Sequence, residues 1–219
     1  VKQGRPWVEK YPQIPAPVAR TLVEGRFYAL AARSAWLAAH MPRLYALDAQ
    51  SHILVLQDLG PARDLTELYA GARLSDAAAA DLADYLAHLH ELPVPAAERE
   101  LLRNPAMRAL NHEHIFRFPL DPQNGLDLDA ITKGLAACAR TLAADAAYCE
   151  RVQRLGQLYL ADADGPLCHG DFFPGSFLVT ASGVFIIDPE FCFLGPREFD
   201  LGVLLAHLHY TIDIIGAYA

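Results

Sequence analysis

The chain has 219 residues, of which 53% are hydrophobic and 20% are charged. This length and composition exclude a disordered protein and allow one large domain or two small lobes. The net charge of −8 comes without a basic stripe, which argues against nucleic acid as a partner. The four cysteines, Cys138, Cys149, Cys168 and Cys192, form no C-x-x-C pair, and this predicts reduced thiols in a cytoplasmic protein.

The start of the chain is predicted to form a strand followed by a helix. Lys2 lies on the short strand. A proline-punctuated loop then leads to Pro17, a residue that suits the first turn of a helix. From Val18 onward the apolar residues follow helical spacing, and Glu24 lies close to this apolar stripe.

Two further strands are predicted at residues 43–47 and 52–56, on either side of a four-residue turn. The second strand contains the continuous apolar run I-L-V-L, which predicts burial on both of its faces. The segment Q-D-L-G-P at 57–61 follows and ends in a glycine-proline breaker. We therefore expect a lobe boundary here, with residues 1–59 in an amino-terminal lobe and residues 60–219 in a carboxyl-terminal lobe.

Beyond residue 60 the pattern becomes helical. Ser75 can cap a helix whose apolar residues from Leu82 to Leu89 recur at i, i+3, i+4 and i+7. Asn104, which stands before a proline, predicts another helix start. The final stretch, residues 201–219, is apolar, but the histidines and the aspartate inside it oppose a membrane span. We expect a buried core helix there and no membrane partner.

The segment at residues 168–202 carries most of the polar chemistry of the chain. Two apolar runs, at 177–180 and 184–187, flank a turn that contains a glycine, and this pattern predicts a β-hairpin. Asp171 precedes the first run and Asp188 directly follows the second. Because the hairpin brings its two ends together, we expect these two carboxylates to lie close to each other.

Ser176 follows Asp171 within the same loop, and Glu190 follows Asp188 after one intervening proline. Four oxygen-bearing side chains are thus expected in one small space. Several oxygen ligands that converge on one point suit a hard divalent cation such as Mg²⁺.

The patterns H-G-D-x-x-x-x-S and D-P-E-F resemble the catalytic and metal loops of the aminoglycoside phosphotransferase and choline kinase superfamily, which is protein-kinase-like. Ser176 in place of the usual asparagine, and Asp-x-Glu in place of Asp-x-Asp, resemble more narrowly the methylthioribose kinase family. The V-K-Q at the start and H-I-F-R-F-P-L within residues 104–120 are similar to that family as well.

The resemblance implies an α+β, two-lobed protein-kinase-like fold, with an incomplete small sheet in the first lobe and a mostly helical second lobe. It also implies ATP as a cofactor. In such folds a strand lysine pairs with a helix glutamate and is held against the α- and β-phosphates, and Lys2 and Glu24 are the expected pair. The backbone at Gln57 and Leu59 is the expected hinge that contacts adenine, and a plain strand end is the alternative for this segment.

For the reacting end of the site, the resemblance implies that Asp171 is the catalytic base. Asp188 is expected to bind Mg²⁺, with Glu190 and Ser176 as further metal contacts. His169 is expected to support the loop through hydrogen bonds. Asp200 is expected to brace the catalytic loop from a helix start and to serve as the N-cap there.

The implied function is ATP-dependent phosphorylation of a hydroxyl on a small molecule, with a sugar such as methylthioribose as the expected acceptor. Alternatives are an aminoglycoside, choline or fructosamine-type kinase, or a nucleotide-binding pseudokinase module. The sequence opens directly on a strand and ends within a helix, so we expect a fragment without the glycine-rich loop and with little activity by itself. A homodimer is left open.

Overall fold

Short antiparallel sheets and helices alternate along the chain in the computed structural model, which describes residues 1–8, 11–125, 127–162 and 164–218. The strands are β1 (Lys2–Gln3), β2 (Trp7–Val8), β3 (Tyr11–Pro15), β4 (Leu44–Asp48), β5 (Ile53–Leu56), β6 (Arg63–Asp64), β7 (Leu167–Cys168), β8 (Phe177–Thr180), β9 (Gly183–Ile186) and β10 (Phe193–Leu194). The α-helices are α1 (Arg20–Ala31), α2 (Ala35–Ala39), α3 (Asp76–His90), α4 (Ala96–Leu102), α5 (Pro105–His112), α6 (Leu128–Ile131), α7 (Leu135–Ala144), α8 (Ala146–Ala161) and α9 (Glu198–Tyr218).

The amino-terminal sheet has the strand order β1-β5-β4, and all its pairs are antiparallel. Lys2 stands on the edge strand opposite Leu54. Helix α1 packs against this sheet at Gly25, where an added Cβ would lie 3.0 Å from the side chains of Leu47 and Leu54. The glycine therefore lets the helix come close enough to set Glu24 beside strand β1.

Strand β5 is less buried than its apolar sequence predicts. Leu54 is fully buried, whereas Ile53, Val55 and Leu56 keep partial contact with solvent. The expectation of burial on both faces is wrong, because α1 covers this small sheet at Leu54 and the flanking residues are only partly covered. The predicted pair of strands is otherwise confirmed, with each boundary shifted by no more than one residue.

The carboxyl-terminal part is mostly helical, as predicted. The Ser75 hydroxyl accepts a hydrogen bond from the Ala78 amide at 3.2 Å and caps α3. Phe27 of α1, Leu86 of α3 and Phe172 are all buried in one hydrophobic cluster. Each such side chain contributes about 1.5–3 kcal/mol when it leaves water. This core therefore anchors the loop in which Phe172 lies.

The predicted hairpin is confirmed, since β8 pairs with β9 in antiparallel register and Thr180 lies opposite Gly183. The prediction of a buried core helix at residues 201–219 is wrong for part of the side chains that the structure describes: Leu204 is buried, but Leu201 and Leu205 are exposed. Its side chains beyond His209 lie outside the described part.

Within the described residues, no helix combines the length and the apolar character needed to cross a bilayer. All four cysteines are free thiols. The arrangement is a mixed α+β fold, in agreement with the sequence. The lobe boundary between residues 59 and 60 stays a prediction.

Candidate active site

The loop that carries Asp171 is shaped by backbone hydrogen bonds. Gly170 adopts a positive φ of 84°, and an added Cβ there would collide with the Phe191 carbonyl. The Asp200 carboxylate accepts hydrogen bonds from the amides of His169 and Gly170, at 2.8 and 2.9 Å. A left-handed glycine and a buried carboxylate thus fix the loop conformation before any ligand is considered.

His169 links this loop to the strand that ends the hairpin. Its Nε2 donates to the Ile187 carbonyl at 3.0 Å, and its Nδ1 accepts from the Asp171 amide at 3.3 Å. This pattern assigns a neutral imidazole with the proton on Nε2. Burial, the largest influence on this group, lowers the pKa of His169, in agreement with a neutral supporting ring.

Asp200 braces the loop that carries Asp171, as predicted, but it is not an N-cap. Helix α9 begins at Glu198, so Asp200 lies within its first turn. Its carboxylate also accepts a hydrogen bond from His90 Nε2 at 2.9 Å. The Nε2 atom of His90 is therefore hydrogen-bonded to Asp200. The nearby His88 ring stacks on the Trp36 ring, with centroids 4.3 Å apart.

Asp188 begins the candidate metal loop in an unusual backbone conformation. It lies in the left-handed region at φ 65° and ψ 45°, which costs a residue with a Cβ about 1–2 kcal/mol. Pro189 follows and starts a short 3₁₀ turn that contains Glu190. The Asp188 side chain is half exposed, so the loop presents this carboxylate to solvent.

Lys2 lies among three carboxylates. Its Nζ is 2.8 Å from Glu24 Oε2 and 3.1 Å from Glu190 Oε2, and it also contacts Asp188. Burial lowers the pKa of Lys2, but the attraction of the three carboxylates outweighs burial and the net pKa is raised. The ammonium group is therefore fully charged at neutral pH.

Glu24 is the most buried of these carboxylates. Burial, only partly offset by Lys2, raises its pKa to about 7. The expected lysine–glutamate pair is thus in contact, and its role toward a nucleotide stays a prediction.

The pKa of Asp171 is raised to about 7, first by burial and then by the negative charges of Asp188, Glu190 and Asp200. A carboxyl group with a pKa near the working pH can accept a proton there without being permanently ionised. The sequence-predicted base therefore has the electrostatic setting of a general base.

Ser176 lies beneath the loop and is almost fully buried. Its hydroxyl donates to the Asp171 carbonyl at 3.0 Å, and its own carbonyl accepts from the Ile187 amide at 3.0 Å. These bonds tie the Asp171 loop to the segment that leads into Asp188. The role of Ser176 as a metal contact stays a prediction.

A cavity of about 420 Å³ lies between the amino-terminal sheet and the hairpin. Its walls are formed by Lys2, Glu24, Tyr28, Pro42, Leu56, Gln57, Asp58, Leu59, Gly60, Ala62, Leu178, Ile187 and Asp188. Gln57 donates its amide to the Arg43 carbonyl at 2.8 Å, so a ligand contact at this residue would use its carbonyl. The predicted hinge and the predicted charged end thus border one cavity.

The oxygen donors at the charged end fit Mg²⁺. Glu24, Asp188 and Glu190 each bring a carboxylate oxygen within 4.8 Å of the others, and such oxygens are the ligands that Mg²⁺ prefers. Glu24 is buried against Lys2. Asp188 and Glu190 are therefore the pair that would hold the cation.

Two asparagines, one just before α5 and one within it, donate hydrogen bonds to the Asp171 loop and to the end of the metal loop. The sequence did not predict this role. Asn104 Nδ2 donates to the Cys192 carbonyl at 2.8 Å, and Asn111 Nδ2 donates to the Gly170 carbonyl at 3.1 Å. The prediction of Asn104 as a helix cap is wrong for its side chain: the residue precedes α5, but in a left-handed conformation without a capping bond.

Arg20 was also missed. Its guanidinium is buried and donates from Nε to Glu190 Oε2 at 3.1 Å. The one signal in the sequence is its position four residues before Glu24, which places both on the same face of α1.

Comparison with known proteins gives a consistent result. The profile described as "Phosphotransferase enzyme family" matches residues 1–218. A methylthioribose kinase from Exiguobacterium sibiricum is 34% identical over 120 residues, which cover 53% of this chain and 30% of that protein. Methylthioribose kinases from Geobacillus kaustophilus and Pectobacterium atrosepticum are 27% and 28% identical, and each match covers 95% of this chain and 53% of the relative.

The chain spans about half the length of these two relatives. The family match, in contrast, covers almost every residue, including both loops described above. The chain belongs to the phosphotransferase enzyme family, the family of the aminoglycoside phosphotransferases.

Proposed function

We propose that this protein is a small-molecule kinase that transfers the γ-phosphoryl group of ATP to a hydroxyl, with Mg²⁺ as cofactor. One observation carries the proposal: the Lys2 ammonium lies 2.8 Å from Glu24 and 3.1 Å from Glu190 and also contacts Asp188, at the end of the cavity that the predicted hinge lines. Asp188 in turn lines the cavity that holds the Lys2–Glu24 pair. A candidate metal ligand and a fixed positive charge therefore border one cavity, and Glu190 joins them through its contact with Lys2.

The cavity suits a nucleotide in size and polarity. Its volume of about 420 Å³ falls within the range of roughly 300–1,000 Å³ that is usual for ligand pockets. The hinge end offers backbone groups and apolar walls for a base, and the Lys2 end offers positive charge for phosphates. When bound, ATP supplies the phosphoryl group and Mg²⁺ offsets its negative charge.

The residues of the chain then do the positioning. Glu24 holds the Lys2 ammonium at the inner wall at 2.8 Å. Asp171 orients the acceptor hydroxyl and takes its proton, which its raised pKa permits near neutral pH. His169, neutral and bonded to Ile187, keeps the Asp171 amide in place.

We further propose that the acceptor is a sugar of the methylthioribose type. The support is the coincidence of Ser176, the Asp188–Glu190 pair and the H-I-F-R-F-P-L segment in the sequence, together with three relatives named methylthioribose kinase. A site built to pair the polar groups of one substrate rejects ligands that leave them unpaired, so a single acceptor class is expected.

Coupled ADP release tests both proposals. The protein, expressed from its complete reading frame, is assayed with methylthioribose, kanamycin, choline and a fructosamine. We expect turnover on methylthioribose, and we expect Asp171→Asn to lower it by about 10²–10⁴-fold with little change in the binding of a fluorescent ATP analogue. Asp84→Asn, at an exposed position on α3, is the matched control and should keep full turnover.

Efficient turnover of kanamycin or choline without turnover of methylthioribose would refute the sugar assignment and leave the kinase assignment intact. Wild-type turnover in Asp171→Asn would refute the assigned base. ATP binding without ADP release from any acceptor would replace the kinase proposal by a nucleotide-binding module.

A further inference from the structure

Helix α1 presents a row of buried polar side chains to the metal loop. Arg20, Glu24 and Tyr28 follow each other at intervals of four residues, with exposed fractions of 8%, 1% and 3%. Residues at this spacing lie on one face of a helix. The ion pair with Lys2 explains why the Glu24 carboxylate can be buried. It does not explain why the Arg20 guanidinium, one turn earlier, is buried as well.

The Arg20 guanidinium is held in place mainly by backbone carbonyls. Nη1 donates to the Arg5 carbonyl at 2.6 Å and to the Pro17 carbonyl at 2.9 Å, and Nη2 lies 3.4 Å from the Trp7 carbonyl. Arg5 precedes β2, Trp7 lies in β2 and Pro17 follows β3. The planar donor group is therefore fixed by partners that are not part of the metal loop.

The third nitrogen of the guanidinium, Nε, donates to Glu190 Oε2 at 3.1 Å. Lys2 Nζ contacts the same oxygen at 3.1 Å. Both cations thus engage Oε2, and the other carboxylate oxygen, Oε1, is the one left for a divalent cation. Because Arg20 is fixed independently, it determines where that oxygen points.

We propose that Arg20 is a positioning residue that orients Glu190 for the divalent cation. The inference rests on the proposed function, since it takes Glu190 as a metal ligand. A purely electrostatic role and an orienting role of Arg20 predict opposite effects of its removal on cation binding. A guanidinium that only added positive charge would repel the cation, and its removal would strengthen cation binding. A guanidinium that orients a ligand would, when removed, weaken cation binding.

The test is the affinity for Mn²⁺ in the presence of a non-hydrolysable ATP analogue, followed by the electron paramagnetic resonance signal of free Mn²⁺. Arg20→Met removes the donors and the charge at similar length, and should raise the Kd for Mn²⁺ about 10–100-fold, the usual effect of losing a group that orients a metal ligand. Arg20→Lys keeps the charge without the planar fork and should restore little of the loss. In the background of Glu190→Gln, Arg20→Met should add no further loss.

Arg26→Met is the matched control, because Arg26 lies on the same helix but pairs with Glu98 of α4 and not with a residue of the metal loop. It should leave the Kd for Mn²⁺ unchanged. In steady-state assays Arg20→Met should raise the Mg²⁺ concentration for half-maximal turnover, while the KM for the acceptor stays the same. Thermal unfolding of each variant separates a folding defect from a site defect, and Arg20→Lys keeps the test valid should Arg20→Met fail to fold.

Tighter Mn²⁺ binding in Arg20→Met, or wild-type Mn²⁺ binding in Arg20→Lys, would overturn the positioning role. Mn²⁺ binding that does not respond to Glu190→Gln would overturn it as well. Since the titration needs no acceptor, its outcome is independent of which hydroxyl compound the enzyme uses, and a failure of the kinase proposal is recognised separately by the absence of ADP release.

Discussion

Asp171→Asn should stabilise the folded protein at neutral and alkaline pH while it removes activity. In the fold the pKa of Asp171 is about 7, first because of burial and then because of Asp188 and Glu190, compared with an ordinary value of 3.8. A raised pKa in the folded state means that the fold prefers the protonated carboxyl. Its contribution to stability is therefore fully present below pH 3.8 and is lost as the pH rises through 7. Asparagine has almost the same shape and carries no charge at any pH.

The size of the effect follows from the two pKa values. A difference of about three pH units corresponds to at most about 4 kcal/mol in the free energy of unfolding above pH 7, at 1.36 kcal/mol for each unit. Asp171 is only partly buried, and solvent and counter-ions screen part of this energy. We expect Asp171→Asn to be more stable than the wild type by about 1–3 kcal/mol at pH 8 and by less at pH 5.

Urea unfolding of both proteins at pH 5, 6, 7 and 8 measures this difference directly. Asp84→Asn, which removes an exposed carboxylate from α3, should show no such rise with pH. An Asp171→Asn variant whose stability relative to wild type does not increase between pH 5 and pH 8 would refute the argument that burial and neighbouring charges raise this pKa.

Two other substitutions probe how the loops are supported. Arg108 is buried and donates to the Tyr159 carbonyl, and its guanidinium lies 5.2 and 4.9 Å from the ring centres of Tyr159 and Phe193. Arg108→Met should lower the free energy of unfolding by about 2–4 kcal/mol, because it leaves buried carbonyls without donors. An unchanged midpoint of urea unfolding would contradict this. Asn104→Ala should cost about 1–3 kcal/mol, because it loses the bond to the Cys192 carbonyl and forces alanine into a left-handed conformation. Asn104→Gly loses the same hydrogen bond but avoids the strain of the left-handed conformation, so equal stability of the two variants would show that the conformation at φ 45° contributes nothing.

Features that depend on local sequence could be predicted. The hairpin followed from two apolar runs and a glycine turn, and the cap of α3 followed from Ser75. The contact between Lys2 and Glu24 could be expected as well, but only through the family resemblance. In each case the relevant residues are adjacent in the chain or carried by a motif that specifies their partners.

Features that depend on distant partners could not be predicted. Arg20 binds Glu190 across 170 residues, and nothing in the local pattern distinguishes it from a solvated arginine. Asn104 has the sequence of a helix cap, yet the Cys192 carbonyl is a better partner for its amide once the chain is folded. The burial of β5 was overestimated because sequence reveals how apolar a strand is, not what packs against it.

The three hydrogen bonds of Asp200 also have a consequence for the order of events during protein synthesis. This carboxylate follows the loop it shapes by 30 and 31 residues, and its histidine partner stands 110 residues before it. Closing such long loops costs chain entropy before the contacts repay it. A ribosome that has completed Asp171, Asp188 and Glu190 has therefore made every proposed reacting group without making a competent site. We expect the loop that carries Asp171 to reach its final conformation only after the first turn of α9 has emerged and docked. A chain released just after Arg197 would contain Asp171, Asp188 and Glu190 but would lack the carboxylate that shapes their loop.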